Sequence, residues 1–155
     1  MSRTVKQIGW TTLVSLALFI HTTQAADFRL WGKKAQVQFT GYSRPDTLTN
    51  FPALVVLSTN ITGFSYADFV SGTNADLRFA DSTETNELNY EVESWNTNGS
   101  SYVWVQVPLL AGSNTSIWAY WSKAGQTLPT YATNGVTWSA SFRGGARPRG
   151  RRLTM

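Results

Sequence analysis

No cysteine occurs in the 155 residues. That excludes disulfides, thiolate nucleophiles, zinc–thiolate sites and redox pairs. Histidine is almost as scarce: the one residue of this type is His21, near the N-terminus. Everything after residue 25 therefore lacks both, which removes histidine-based triads, Cys–His dyads and histidine-ligated zinc. Long hydrophobic runs are missing too. The apolar stretch Trp10 to Ile20 is eleven residues, interrupted by threonines, and a spanning helix needs about 20. No later stretch is longer and equally apolar.

What the N-terminus does have is the order of an export signal. Arg3 and Lys6 give a positive flank, Trp10 to Ile20 an apolar core, and Thr23 and Ala25 small residues at the −3 and −1 positions of a peptidase site. Cleavage is expected between Ala25 and Ala26. The expectation is a secreted, periplasmic or surface protein that loses its only histidine on export and has no membrane span afterwards.

Positive charge in the body is the next scarcity. Thirteen Lys and Arg face nine Asp and Glu over the whole chain. Arg3 and Lys6 fall in the signal, and Arg143, Arg147, Arg149, Arg151 and Arg152 crowd into the last thirteen residues. Residues 26–142 keep six basic groups against all nine acidic ones, a net of −3. Such a body has no electrostatic footprint for nucleic acid.

The body is rich in aromatic and β-branched residues at a period of two. Ala35, Val37 and Phe39 alternate with Gln36, Gln38 and Thr40. Pro52 to Leu57 is an apolar run that reads as a strand buried on both faces. Asp76 to Ala80 is a short strand. Leu88, Tyr90 and Val92 alternate with polar neighbours, as do Val103, Val105 and Val107, and then Ile117, Ala119 and Trp121. Turn chemistry separates them: Tyr42–Asn50, Asn60–Gly63, Asp81–Asn86, Asn96–Ser100 with its Asn-Gly pair, and Ala111–Asn114. A short helical turn fits Tyr66 to Val70. Seven or eight strands with a turn about every ten residues predict an all-β fold, an antiparallel β-sandwich of jelly-roll or Greek-key type.

Three ordered strings carry a family resemblance: Asp76-Leu77-Arg78-Phe79-Ala80-Asp81, Glu87 to Trp95, and Val103-Trp104-Val105-Gln106-Val107-Pro108. With Ile117 to Trp121 after them, the chain resembles the bacterial domain of unknown function 2341 over roughly residues 28–125. Ser122 stands where that pattern usually has glycine. The resemblance implies an extracellular β-sandwich module, often followed by a laminin-G or concanavalin-like lectin domain and in some proteins joined to a MotA/TolQ/ExbB-type channel. It supplies no catalytic residues. The expected organisation is a signal over 1–25, the sandwich over 26–125, a linker or start of a following domain over 126–142, and a basic tail over 143–155. The abrupt Arg, Gly and Pro composition of that tail reads as a truncated or frameshifted product, against a polyanion-binding tail or one without a role.

The chemistry left to such a chain is carboxylate and aromatic. Glu91 and Glu93 stand two apart on a strand, about 6.7 Å at the backbone, a spacing that a carboxylate-only glycoside hydrolase permits. A solvated sheet face, or ion pairs with Arg78 or Lys34, is the preferred reading of them. Asp76, Asp81 and Glu84 are candidate Ca²⁺ ligands, without a recognisable calcium loop; no other cofactor is implied. If Val103, Val105 and Val107 face the core, Tyr102 and Trp104 face away, and so do Trp118 and Tyr120. On adjacent strands the four would make an aromatic platform for a polysaccharide, or a contact face for a neighbouring lectin-like domain. Asn60, Asn98 and Asn114 open glycosylation sequons, read as chance products of an Asn/Thr/Ser-rich surface. The expectation is a non-enzymatic accessory module, binding carbohydrate or acting as a structural spacer.

Overall fold

The computed structural model describes residues 27–71 and 73–138. The expected export signal, its cleavage point and the Arg-rich tail lie outside the described residues. Among the described residues there are six strands in two antiparallel three-stranded sheets. They are β1 (Lys33–Gln38), β2 (Leu48–Leu57), β3 (Arg78–Ala80), β4 (Tyr90–Ser94), β5 (Ser101–Leu110) and β6 (Ser116–Trp121). One sheet has the order β1-β6-β3, the other β2-β5-β4. Single 3-10 turns occupy Phe28–Leu30, Tyr66–Asp68 and Thr130–Ala132. No helix among the described residues is long and apolar enough to cross a membrane.

The period-two patterns set which side chains meet. Ala35, Val37, Phe79, Ile117, Ala119 and Trp121 point inward from the first sheet, and Ala53, Val55, Leu57, Tyr90 and alternate valines of β5 from the second. They form one buried cluster, so the two inner faces pack on each other as a sandwich. Val55, Leu57, Phe79, Val103, Val105 and Trp121 are fully buried, each worth about 1.5–3 kcal/mol relative to exposure.

Among the six described strands, only one connection is a hairpin within a sheet. The 96–100 turn joins β4 to β5, the Asn-Gly hairpin that the sequence predicts. Every other link between successive strands changes sheet. The 81–86 loop starts as a hairpin, with Ala80 bridged to Glu87 and the Leu88 amide on the Phe79 carbonyl at 2.8 Å. The chain then leaves for the other sheet.

Two details differ from the sequence expectation. Six strands form where seven or eight were expected, and β3 and β4 begin two residues later than the alternation suggests, because Asp76 and Leu88 are held in loops and not in ladders. The 52–57 run is not buried on both faces: β2 is an edge strand whose Leu54 and Val56 point outward and stay half-exposed. Its edge position also explains Pro52, which cannot donate to a ladder on a second side. The helical turn near Tyr66 is present.

Candidate functional site

The expected four-residue platform does not form. Tyr102 and Trp104 lie on β5 and Trp118 and Tyr120 on β6, and these strands belong to opposite sheets. Outward-facing residues of the two sheets of a sandwich point away from each other. The four residues therefore divide into two separate aromatic sites, one on each outer face.

On the β2-β5-β4 sheet, Trp104 stands opposite Glu91 in the β4–β5 register and opposite Leu54 in the β2–β5 register. The chain after the third 3-10 turn comes back over this face. Trp138 packs against Trp104 with ring centroids 5.1 Å apart and planes tilted by 52°. Its indole N–H donates to Glu91 Oε2 at 3.0 Å. The Trp104 indole donates to Glu93 Oε2 at 3.3 Å. Gln106 Nε2 donates to the Val136 carbonyl at 3.4 Å, and Thr137 between them is fully buried. Glu91 and Glu93 thus hold the two tryptophans. The ion pairs considered for them go elsewhere: Arg78 meets Glu87 at 3.3 Å and Lys34 meets Glu84 at 2.7 Å.

On the β1-β6-β3 sheet, Tyr120 is covered. Phe28 stacks on it at 4.5 Å and 24°, and Trp31 meets it edge-on at 6.5 Å. Asp27 accepts from the Arg29 amide at 3.2 Å and caps the 3-10 turn that carries Phe28. The Tyr120 hydroxyl donates to Glu84, which also takes Lys34 Nζ on both oxygens at 3.0 and 2.7 Å. Lys34 in turn lies 4.4 Å from the Trp118 ring centre, a cation–π contact. The hydrogen bond from Lys34, with that from Tyr120, holds the Glu84 carboxyl below its ordinary value. Burial, together with the Glu84 partner, pushes the Tyr120 phenol well up. Between the first turn and the 81–86 loop lies an open cleft of about 780 Å³.

Asp76, Asp81 and Glu84 do not converge, and no group of three or more His, Asp or Glu among the described residues is placed to hold a metal ion. Each carboxylate has a separate task. Asp76 is fully buried and accepts from the Val70 amide at 2.9 Å, the Ser71 hydroxyl and the Ser122 amide at 3.2 Å. Asp81 Oδ1 accepts from the amides of Thr83 and Thr85 at 3.2 and 3.1 Å and organises its loop. Its desolvation is outweighed by these bonds and that from Asn86, so its carboxyl sits below the ordinary value.

Sequence reasoning missed Trp138, Phe28 and Trp31, the residues that cover the two outer faces. Their signal was position alone: each is an aromatic residue just outside the strand-patterned region.

No curated protein matches the chain, and no solved structure does. A family model does match. Its span opens in the loop before β3, includes β3 to β6 and closes on the tryptophan that caps Trp104, so it starts later and runs further than the expected 28–125. Over residues 73–138 the chain matches the model of the family described as Domain of unknown function (DUF2341).

Proposed function

We propose that this chain is a non-enzymatic β-sandwich module of an exported protein, and that its role is structural: it seats the polypeptide that continues from it against the outer face of the β2-β5-β4 sheet. One observation carries the reading. Trp138 is laid on Trp104 and tied to Glu91, so the aromatic surface that would serve a sugar from β5 is occupied by the module's own chain. A tilt of 52° between the rings is the geometry of a packed corner, in contrast to the coplanar row that would accept a flat sugar face. Aromatic pairs of this kind add about 0.5–1.5 kcal/mol beyond the area they bury. The family span closing on Trp138 supports counting this residue as part of the module.

The non-enzymatic part rests on the chemistry available after residue 25. Cysteine and histidine are lacking there, and Glu91 and Glu93, the carboxylate pair with hydrolase-like spacing, each accept a tryptophan N–H.

The cysteine-free chain offers a clean test. A spin label on Thr133→Cys, an exposed position beside the returning segment, is expected to be immobilised in the parent and released when Trp138 becomes alanine. Equal mobility in both proteins would remove the seat.

A further inference from the structure

The opposite face of the sandwich carries a different feature. We propose that the cleft between the Phe28–Leu30 turn and the 81–86 loop binds a saccharide, a ligand whose hydroxyl groups both donate and accept hydrogen bonds. This goes beyond the structural role and does not rest on it, since the cleft belongs to the other sheet.

Charge balance in the cleft selects the ligand class. Its walls present Asp27 beside Arg29 at 3.0 Å and Glu84 beside Lys34 at 2.7 Å, with Lys33 3.6 Å from Asp68. A phosphate or sulfate approaching the cations meets the two carboxylates, and an organic cation meets the ammonium and guanidinium groups. A hydroxyl meets no such conflict. It can accept from Lys34 or Arg29 and donate to Glu84 or Asp27 in the same position, and hydrogen bonds to charged partners are the stronger kind. Trp31, partly exposed and backed by the buried Phe28–Tyr120 stack, gives the same cleft an aromatic wall, which suits the apolar C–H surface of a pyranose. Small-molecule sites combine an apolar wall with a few convergent polar groups in this way.

Glu84 and Lys34 are also held in place before any ligand arrives. Glu84 has φ of 59°, a left-handed conformation uncommon for a side-chain-bearing residue and disfavoured sterically. It is fixed there by the Asp81 bonds on one side and by Lys34 and Tyr120 on the other. Such backbone conformations gather at ligand clamps, where fixing the geometry early lowers the cost of binding. The opposite wall is equally fixed: the Gly32 amide donates to the Ser122 carbonyl at 3.1 Å, and a Cβ on Gly32 would come within 2.9 Å of that oxygen.

The test is a calorimetric titration of the full chain with glucose, galactose, N-acetylglucosamine and cellobiose, and separately with inorganic phosphate. Saturable binding of at least one saccharide is expected. Glu84→Gln and Trp31→Ala should each weaken it by about tenfold or more, the scale of one charge-assisted contact, while Trp104→Phe leaves it unchanged. Thr85→Tyr, which fills the cleft from an exposed loop position, gives the same loss if Trp31→Ala does not fold. Absence of saturable binding to all four sugars overturns the proposal. So does binding that the cleft variants leave intact, or binding of phosphate alone.

Discussion

Trp138 lies on Trp104 at 5.1 Å and donates its indole N–H to Glu91, the residue opposite Trp104 in the sheet register. The contact joins the end of the described chain to the central strand of one sheet. Trp138→Ala removes half-buried aromatic area and leaves Glu91 without that donor. A loss of about 2 kcal/mol is expected, read as a lower urea midpoint with an unchanged slope.

Ser122 sits at φ of 67° immediately after β6. This is the backbone region where glycine carries no Cβ penalty, and it gives a physical reason for the glycine in the family pattern that the motifs resemble. Ser122→Gly keeps the amide that bonds Asp76 and should stabilise the fold by about 0.5–1 kcal/mol. Gly32→Ala should do the reverse, by about 1–3 kcal/mol, because its new Cβ would stand 2.9 Å from the Ser122 carbonyl oxygen. Thermal melts of the two variants check both signs.

Asp76 ties three segments through one carboxylate: the 70–71 loop, its own turn and the end of β6. Asp76→Ala leaves the Val70 and Ser122 amides without that acceptor in a part-buried site. A cost of about 2–4 kcal/mol is expected. The denaturation midpoint should fall further for this change than for Asp46→Ala at an exposed turn position.

The pH dependence has two edges. Asp81 and Glu84 titrate below their ordinary values of 3.8 and 4.5 in the folded state. Their contribution is therefore complete above those values and is lost as the pH falls through the lower folded ones. Both groups are close to solvent, so the acid edge is shallow, and Glu84→Gln should flatten it. At the other end, burial pushes the Tyr90 phenol up to about 12. Its hydroxyl donates to the Leu77 carbonyl at 2.9 Å. Burial and hydrogen-bonded carboxylates push Tyr120 and Tyr131 higher still. A raised phenol stabilises the fold below pH 10, the ordinary value, and that stability is lost as the pH climbs through the folded one. Absorbance at the phenolate band should show these three tyrosines ionising late, together with unfolding; early independent titration would contradict the burial described.

Much of this fold is visible in the sequence because alternation states which side of a strand faces the core. Ala35 and Val37, the β5 valines, and Ile117 with Ala119 all point inward as the pattern predicts. Alternation does not state which strands pair. The 111–115 turn between β5 and β6 reads as readily as a hairpin, yet it carries the chain from one sheet to the other. That one ambiguity placed Trp104 and Trp118 on a common platform. The covering residues were hidden for a related reason. Phe28 and Trp138 lie outside the alternating strands, and their packing on Tyr120 and Trp104 depends on where the chain returns in space. The three carboxylates read as metal ligands are polar residues at turns, and such residues more often bond their own loop, as Asp81 does.

The seat on the outer face is tested most directly by a double-mutant cycle between Trp104 and Trp138 in equilibrium urea unfolding. The account predicts that Trp104→Ala and Trp138→Ala are non-additive, with a coupling of about 1 kcal/mol. Strictly additive effects, or a Trp138→Ala variant as stable as the parent, would contradict it.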